Sequence, residues 1–112
     1  MKIYHNPRCA KSRQTLALLQ GNGVEPEIIL YLNTVPSFKE LKCLIEKLGI
    51  SPIQLIRKGE LVWKENFKGK DLSDDEIIQA MITYPKLIER PIVVKDQKAV
   101  LGRPPENVLE LV

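Results

Sequence analysis

Cys9 is flanked by basic residues near the N-terminus, and this combination can produce a reactive thiolate. Arg8, Lys11 and Arg13 lie within four residues of it, and His5 precedes it. A free cysteine with a pKa of about 8.5 is mostly protonated at neutral pH, whereas neighbouring cations lower that pKa. The pattern therefore predicts that Cys9 is a nucleophile. The alternative is that Cys9 is a small apolar side chain in an ordinary loop, since free cysteine is often buried.

The position of Cys9 between a predicted strand and a predicted helix favours the same chemistry. Residues 2–5 can form a short strand, Pro7 interrupts it, and a helical pattern begins near Lys11 or Ser12. The unpaired N–H groups and the positive dipole end of a helix N-terminus stabilise an anion there. The motif is Cys-x-x-Ser, so Ser12 can donate a hydrogen bond to the sulfur or cap the helix but cannot form a local disulfide.

Three arginines at predicted element boundaries are candidates for binding an anion: Arg57, Arg90 and Arg103. The planar guanidinium group binds tetrahedral oxyanions through paired hydrogen bonds. A proline follows Arg90 and another follows Arg103, which keeps both arginines in an extended conformation. Pro91 is a candidate for a cis peptide bond. The alternative for each arginine is an exposed side chain that pairs with surface acids.

Length and composition indicate one globular domain. The chain has 112 residues, of which 44% are hydrophobic and 28% charged, with a formal net charge of +3. This charge fits a small anionic substrate better than nucleic acid, because no basic stripe interleaved with aromatic residues occurs. No apolar run is long enough to span a membrane and no signal-peptide pattern opens the chain. We therefore expect a cytoplasmic protein with free thiols and no bound metal or cofactor, and we further expect a monomer.

The elements that must position these residues begin with a strand, a helix and a second strand. The helix is predicted at 12–20, and a buried strand at 27–31 is expected to run parallel to the first strand. Residues from about 34 to 88 are predicted to be helical, with capping boxes at Ser37 and Ser73. Cys43 lies off the apolar face of its helix, so we expect no role for it.

The C-terminal part is predicted to form a hairpin and a helix. Residues 91–95 and 99–102 form the hairpin, and a helix that begins at Pro104 buries apolar residues. These residues are Val108, Leu109, Leu111 and Val112. The order strand-helix-strand, helical segment, strand-strand-helix predicts an α/β thioredoxin-like fold in a single domain (1–112) with an inserted helical subdomain.

Three motifs can be compared with known families: His5-Asn6-Pro7-Arg8-Cys9-Ala10-Lys11-Ser12-Arg13, Glu89-Arg90-Pro91-Ile92-Val93-Val94 and Gly102-Arg103-Pro104-Pro105-Glu106. Together they resemble the glutaredoxin-dependent arsenate reductase (ArsC) family, most of all its YfgD-like branch, and the likeness covers the whole chain. The resemblance implies that Cys9 is the nucleophile and that Arg57, Arg90 and Arg103 hold the arsenate oxygens. It also implies that His5 helps to lower the thiol pKa, with Ser12 assisting.

The same resemblance implies a reaction with external electron donors. The Cys9 thiolate attacks pentavalent arsenic and water leaves, after which glutathione, as co-substrate, attacks the thioarsenate. Glutaredoxin then reduces the mixed adduct, and arsenite is released. Two residues depart from a characterised reductase of the family, which has a small residue at the position of Arg8 and a cysteine at the position of Gly102. The first change could crowd or over-bind the anion, and the second is expected to be without consequence.

Two other functions are compatible with the sequence. Spx regulators share this fold and bind the RNA polymerase α subunit, but their redox switch uses Cys-x-x-Cys, whereas this chain has Ser12 at the second position. The other alternative is a different glutathione-linked thiol reductase, or a deglutathionylating enzyme, that uses the same Cys9 pocket.

Overall fold

A computed structural model describes residues 1–112, which divide into a sheet-containing unit and a helical unit. Met1–Thr34 and Arg90–Val112 form the first unit, and Val35–Glu89 form the second. The α/β thioredoxin-like fold class with a helical insertion, predicted from the order of elements, is confirmed. No helix of the structure combines the length and the apolar composition that crossing a bilayer requires.

The sheet of the first unit has four strands in the order β2-β1-β3-β4. The strands are β1 (Lys2–Tyr4), β2 (Glu27–Ile29), β3 (Ile92–Lys95) and β4 (Lys98–Leu101). β1 runs parallel to β2 and antiparallel to β3, and the β3–β4 hairpin is antiparallel. Ile3 of β1 pairs with Val93 of β3, and both are fully buried. Tyr4 at the end of β1 pairs with Ile92 at the start of β3. The segment that precedes β3 therefore lies near the end of β1, where the loop to Cys9 begins.

The predicted burial of the second strand is wrong. β2 is an edge strand, and Ile28 at its centre is 46% exposed. A compact apolar run predicts a strand. Its burial depends on the position of that strand in the sheet, and the run carries no information about strand order.

Helix α1 (Ala10–Gly21) packs against a C-terminal 3₁₀ helix, Pro105–Leu111. Leu19, Val108 and Leu111 join Ile3 and Val93 in the core of this unit. A 3₁₀ helix repeats every three residues, so Pro105, Val108 and Leu111 share its buried face. The predicted burial of two other residues of this segment is therefore wrong: Leu109 is 46% exposed and Val112 is 51% exposed.

The second unit contains α2 (Phe38–Leu48), α3 (Leu61–Asn66), α4 (Asp74–Thr83) and two short 3₁₀ helices, Pro52–Leu55 and Pro85–Leu87. The capping box predicted at Ser73 is complete, since Ser73 and Glu76 each accept a hydrogen bond from the other's backbone N–H. At the start of α2 the Ser37 hydroxyl accepts from the Glu40 N–H at 3.1 Å. These caps fix where the two longest helices of this unit begin.

Candidate active site

Cys9 is the N-cap residue of α1, as the strand-to-helix pattern predicted. Its backbone is extended (φ −93°, ψ 123°), and the residue is 8% exposed. The loop before it is closed by two hydrogen bonds, one from the Cys9 N–H to the Asn6 carbonyl (3.0 Å) and one from the Asn6 N–H to the Ser12 hydroxyl (3.0 Å). An N-cap side chain lies next to the free N–H groups of the first helical turn. The thiol therefore occupies the position where a helix best stabilises an anion.

The pKa of the Cys9 thiol is lowered by its surroundings. Burial is the largest single influence and raises the pKa, but several other groups together outweigh it. The backbone N–H of Ser12 and the positive charge of Arg90 lower the pKa most, followed by the N–H of Lys11 and a hydrogen bond from the Arg90 side chain. The helix entrance and one distant arginine thus stabilise the thiolate.

Arg103 is the second arginine beside the sulfur. Its Nη1 lies 4.0 Å from the Cys9 Sγ and donates a hydrogen bond to the Arg90 carbonyl oxygen at 3.3 Å. Arg90 lies two residues before β3, and Arg103 lies two residues after β4. The structure therefore brings Arg90 and Arg103 together at Cys9. The peptide bonds to Pro91 and Pro104 are both cis, and the sequence had suggested this only for Pro91.

The basic side chains that flank Cys9 in the sequence are not the groups that lower its pKa, so the prediction that they do is wrong. Arg8, Lys11 and Arg13 are exposed. The Arg13 guanidinium donates to the Pro7 carbonyl oxygen at 2.9 Å, and Lys11 acts on the thiol through its backbone N–H. In the first turn of a helix, side chains project outward while the N–H groups point back toward the cap, which explains the difference.

His5 and Ser12 form a buried pair behind the loop. The His5 Nδ1 and the Ser12 Oγ are 2.6 Å apart, and both residues are buried. Burial, and then the charge of Arg13, lower the His5 pKa, which disfavours the charged imidazole. A role for His5 in lowering the thiol pKa stays a prediction. The His5 hydrogen bond fixes the Ser12 hydroxyl, which accepts the Asn6 N–H and holds the loop that precedes Cys9.

Arg57 lies in the helical unit and is engaged there by two acids. Its Nη1 is 2.7 Å from Glu60 Oε1, and its Nε is 4.0 Å from Glu89 Oε1. Pairing with acids is the alternative that the sequence left open for each arginine, although the Arg57 side chain is only 26% exposed. A role for Arg57 with Cys9 stays a prediction. Cys43 is exposed on α2, which agrees with its position off the apolar face.

Two residues that sequence reasoning missed hold Arg103 in place. The buried Thr15 hydroxyl lies 2.8 Å from the Lys11 carbonyl and 3.2 Å from the Gly102 carbonyl, and can donate to either oxygen. A Cβ on Gly102 would lie 2.5 Å from Thr15 Oγ1 and 2.8 Å from Pro91 Cγ. The missing side chain thus lets the end of β4 approach α1 closely, immediately before Arg103. The change to glycine at position 102 was expected to be without consequence. The signal that could have indicated this contact is the position of Thr15 on the same helical face as Ser12 and Leu19.

The lowered thiol pKa predicts that Cys9 reacts with iodoacetamide at a lower pH than a free cysteine does. The thiolate is the reactive form, so a lowered pKa keeps more of it at a given pH and shifts the midpoint of the rate profile below that of an ordinary cysteine. The measurement needs a Cys43→Ser background, because exposed Cys43 would also be alkylated. Arg90→Ala should move the midpoint back upward. A midpoint at the ordinary value in the parent would contradict an activated thiol.

Comparison with known proteins gives matches along nearly the whole chain. The model of the ArsC family matches residues 4–111. The Escherichia coli K12 protein YfgD is 54% identical over 100% of this chain and 96% of its own length. A Haemophilus influenzae protein named arsenate reductase is 50% identical over 97% of this chain and 96% of its own. A solved structure named arsenate reductase, from Vibrio cholerae, is 51% identical and has a TM-score of 0.94, covering 99% of this chain and 96% of that one.

Proposed function

This chain belongs to the ArsC family, and we propose that it is an arsenate reductase in which Cys9 is the nucleophile. The observation that carries the proposal is a thiol of lowered pKa at a helix N-terminus with two arginines beside it. A thiolate is needed to attack pentavalent arsenic, and the arginines are needed because arsenate is an anion that would otherwise be repelled. Relatives named arsenate reductase, such as the one from Haemophilus influenzae, support the choice of substrate.

In the first step the Cys9 thiolate bonds to arsenic, and an arsenate oxygen leaves as water after taking up protons. The N–H groups of the first turn of α1, which stabilise the thiolate, also favour the negative charge on the incoming oxygens. Arg90 and Arg103 neutralise the charge of the oxyanion as it approaches the sulfur. The hydrogen-bonded pair of His5 and Ser12 holds the loop so that the thiol keeps its position at the cap.

Two electrons must then reach arsenic, and two external thiols supply them. Glutathione condenses with the thioarsenate, so that arsenic carries both the Cys9 sulfur and the glutathione sulfur. The thiolate of glutaredoxin attacks the glutathione sulfur, a disulfide forms between them, and the As–S electron pair stays on arsenic. Water then displaces Cys9 from trivalent arsenic, which releases arsenite and restores the thiolate.

The source of the electrons can be tested with reductants and one cysteine variant. Ser12 cannot form a disulfide with Cys9, and Cys43 is exposed on a helix of the other unit. We therefore expect turnover with glutathione and glutaredoxin, none with thioredoxin alone, and nearly full activity in Cys43→Ser, measured as arsenate-dependent NADPH oxidation. A Cys9–Cys43 disulfide detected by mass spectrometry during turnover, or activity sustained by thioredoxin alone, would assign the protein to the internally resolving reductases.

A further inference from the structure

Arg8 is the arginine that the oxyanion site leaves unused. It directly precedes Cys9, is exposed, and its guanidinium makes no hydrogen bond or ion pair. The hydrogen bond of this residue is made by its backbone N–H, which donates to Asn6 Oδ1 at 3.0 Å. By contrast, Arg13 is tied to the Pro7 carbonyl, and Arg90 and Arg103 face the sulfur. An uncommitted guanidinium next to a nucleophile is available to a ligand.

Arg8 lines a cavity of about 360 Å³ in the sheet-containing unit. One wall is the loop His5–Arg8, which directly precedes Cys9 in the chain, and the other is the segment after β2, which contributes Leu30, Leu32 and Asn33. Leu30 is 39% exposed and Leu32 is 38% exposed, so two large apolar side chains meet solvent at this cavity. The volume is in the range of sites for small molecules, and the lining combines apolar surface with one cation and two amides.

The lining differs from what an inorganic oxyanion needs. Arsenate has no apolar part to cover leucine side chains, and Arg90 and Arg103 already flank the sulfur. A small peptide has methylene groups for the leucines, amides for Asn6 and Asn33, and a carboxylate for the guanidinium. The loop wall ends at Arg8, the residue directly before Cys9, so a thiol on a peptide bound there would lie on the side of the loop from which it can reach the adduct.

We propose that this cavity binds the carboxylate-bearing thiol peptide that reacts with the Cys9 adduct, a ligand of the glutathione class, and that Arg8 binds its carboxylate. The assignment rests on the proposed function, since that function supplies the need for an external thiol. It gives a role to Arg8, which stands where a characterised reductase of the family has a small residue.

The kinetic test compares Arg8→Ala with Lys2→Ala, which removes an equal charge from an exposed residue of the same unit outside the cavity. A charge-assisted hydrogen bond contributes enough for at least about a tenfold change in binding. Arg8→Ala should therefore raise the KM for glutathione about tenfold or more, while kcat at saturating glutathione and the KM for arsenate stay at parent values. Arg8→Lys should restore part of the loss, and Lys2→Ala should behave as the parent. An unchanged KM for glutathione in Arg8→Ala would overturn the assignment.

A binding test without arsenic separates this assignment from the proposed function. S-methylglutathione cannot react, and its diethyl ester lacks both carboxylates. By calorimetry, the parent should bind the acid at least about tenfold more tightly than the ester, and Arg8→Ala should bind the two alike. If the parent does not distinguish acid from ester, the assignment fails. If it does so through Arg8 but reduces no arsenate, the cavity assignment stands and the proposed function fails.

Discussion

Cys9→Ser is expected to abolish arsenate reduction while leaving the fold intact. A serine hydroxyl stays protonated at neutral pH, so the helix entrance and Arg90, which act by stabilising an anion, have no nucleophile to activate. Removing a covalent nucleophile typically lowers kcat by several orders of magnitude, and we expect a loss of at least about a thousandfold. The coupled assay with saturating glutathione and glutaredoxin measures this loss.

The fold should tolerate the same change well. Serine is among the preferred N-cap residues and is close to cysteine in size, so its hydroxyl can cap α1 from position 9. The thermal unfolding midpoint should therefore stay near that of the parent. Cys43→Ser is the matched control, because it makes the same substitution at an exposed cysteine. Turnover retained in Cys9→Ser would show that the chemistry occurs at another residue.

Arg90→Ala and Arg103→Ala are each expected to weaken oxyanion binding by more than tenfold. Charge-assisted hydrogen bonds contribute roughly 1.5–3 kcal/mol each, which corresponds to about ten- to 150-fold in affinity. The measurement is protection of Cys9 from alkylation by phosphate or sulfate, titrated in the Cys43→Ser background. Lysine at either position should rescue only partly, because an ammonium group lacks the planar fork of arginine.

The two arginines should also differ in their effect on the thiol. Arg90 lowers the Cys9 pKa through its charge and a hydrogen bond, so Arg90→Ala should raise the Cys9 pKa as well as weaken the binding of the oxyanion. Arg57→Ala belongs in the same series, because its place in the oxyanion site is still a prediction from the sequence and the family resemblance. Unchanged protection in Arg90→Ala and Arg103→Ala would mean that the anion binds elsewhere.

The local part of the site could be predicted from sequence because it depends on neighbours in the chain. Pro7 breaks the first strand and a helical pattern follows, so the entrance at Cys9 is visible without any tertiary information. Arg90 and Arg103 could be named as candidates, but the residues alone did not place them beside the sulfur, because Arg103 is 94 residues away and reaches Cys9 only through the β3–β4 hairpin. The basic residues around Cys9 predicted a lowered thiol pKa for a wrong reason, since their side chains are exposed and other groups lower that pKa.

The wrong predictions about the fold also concern contacts between distant segments. The exposure of Ile28 follows from the edge position of β2, and the exposure of Leu109 follows from a 3₁₀ rather than an α-helical repeat. The sequence comparison considered only that Gly102 lacks the cysteine thiol of a characterised reductase. In the structure, Gly102 matters because a side chain there would collide with Thr15 and Pro91. Each of these depends on a contact between segments that are distant in the chain.

The most direct measurement is the amount of arsenite formed by the purified protein. Arsenate is incubated with the protein, glutathione, glutaredoxin, glutathione reductase and NADPH, and trivalent arsenic is separated from pentavalent arsenic by chromatography. We predict one arsenite for each NADPH oxidised, with none formed by Cys9→Ser or when glutathione is omitted. NADPH oxidation without arsenite, or no arsenite from the parent in the complete system, would contradict the assignment of arsenate as the substrate of Cys9.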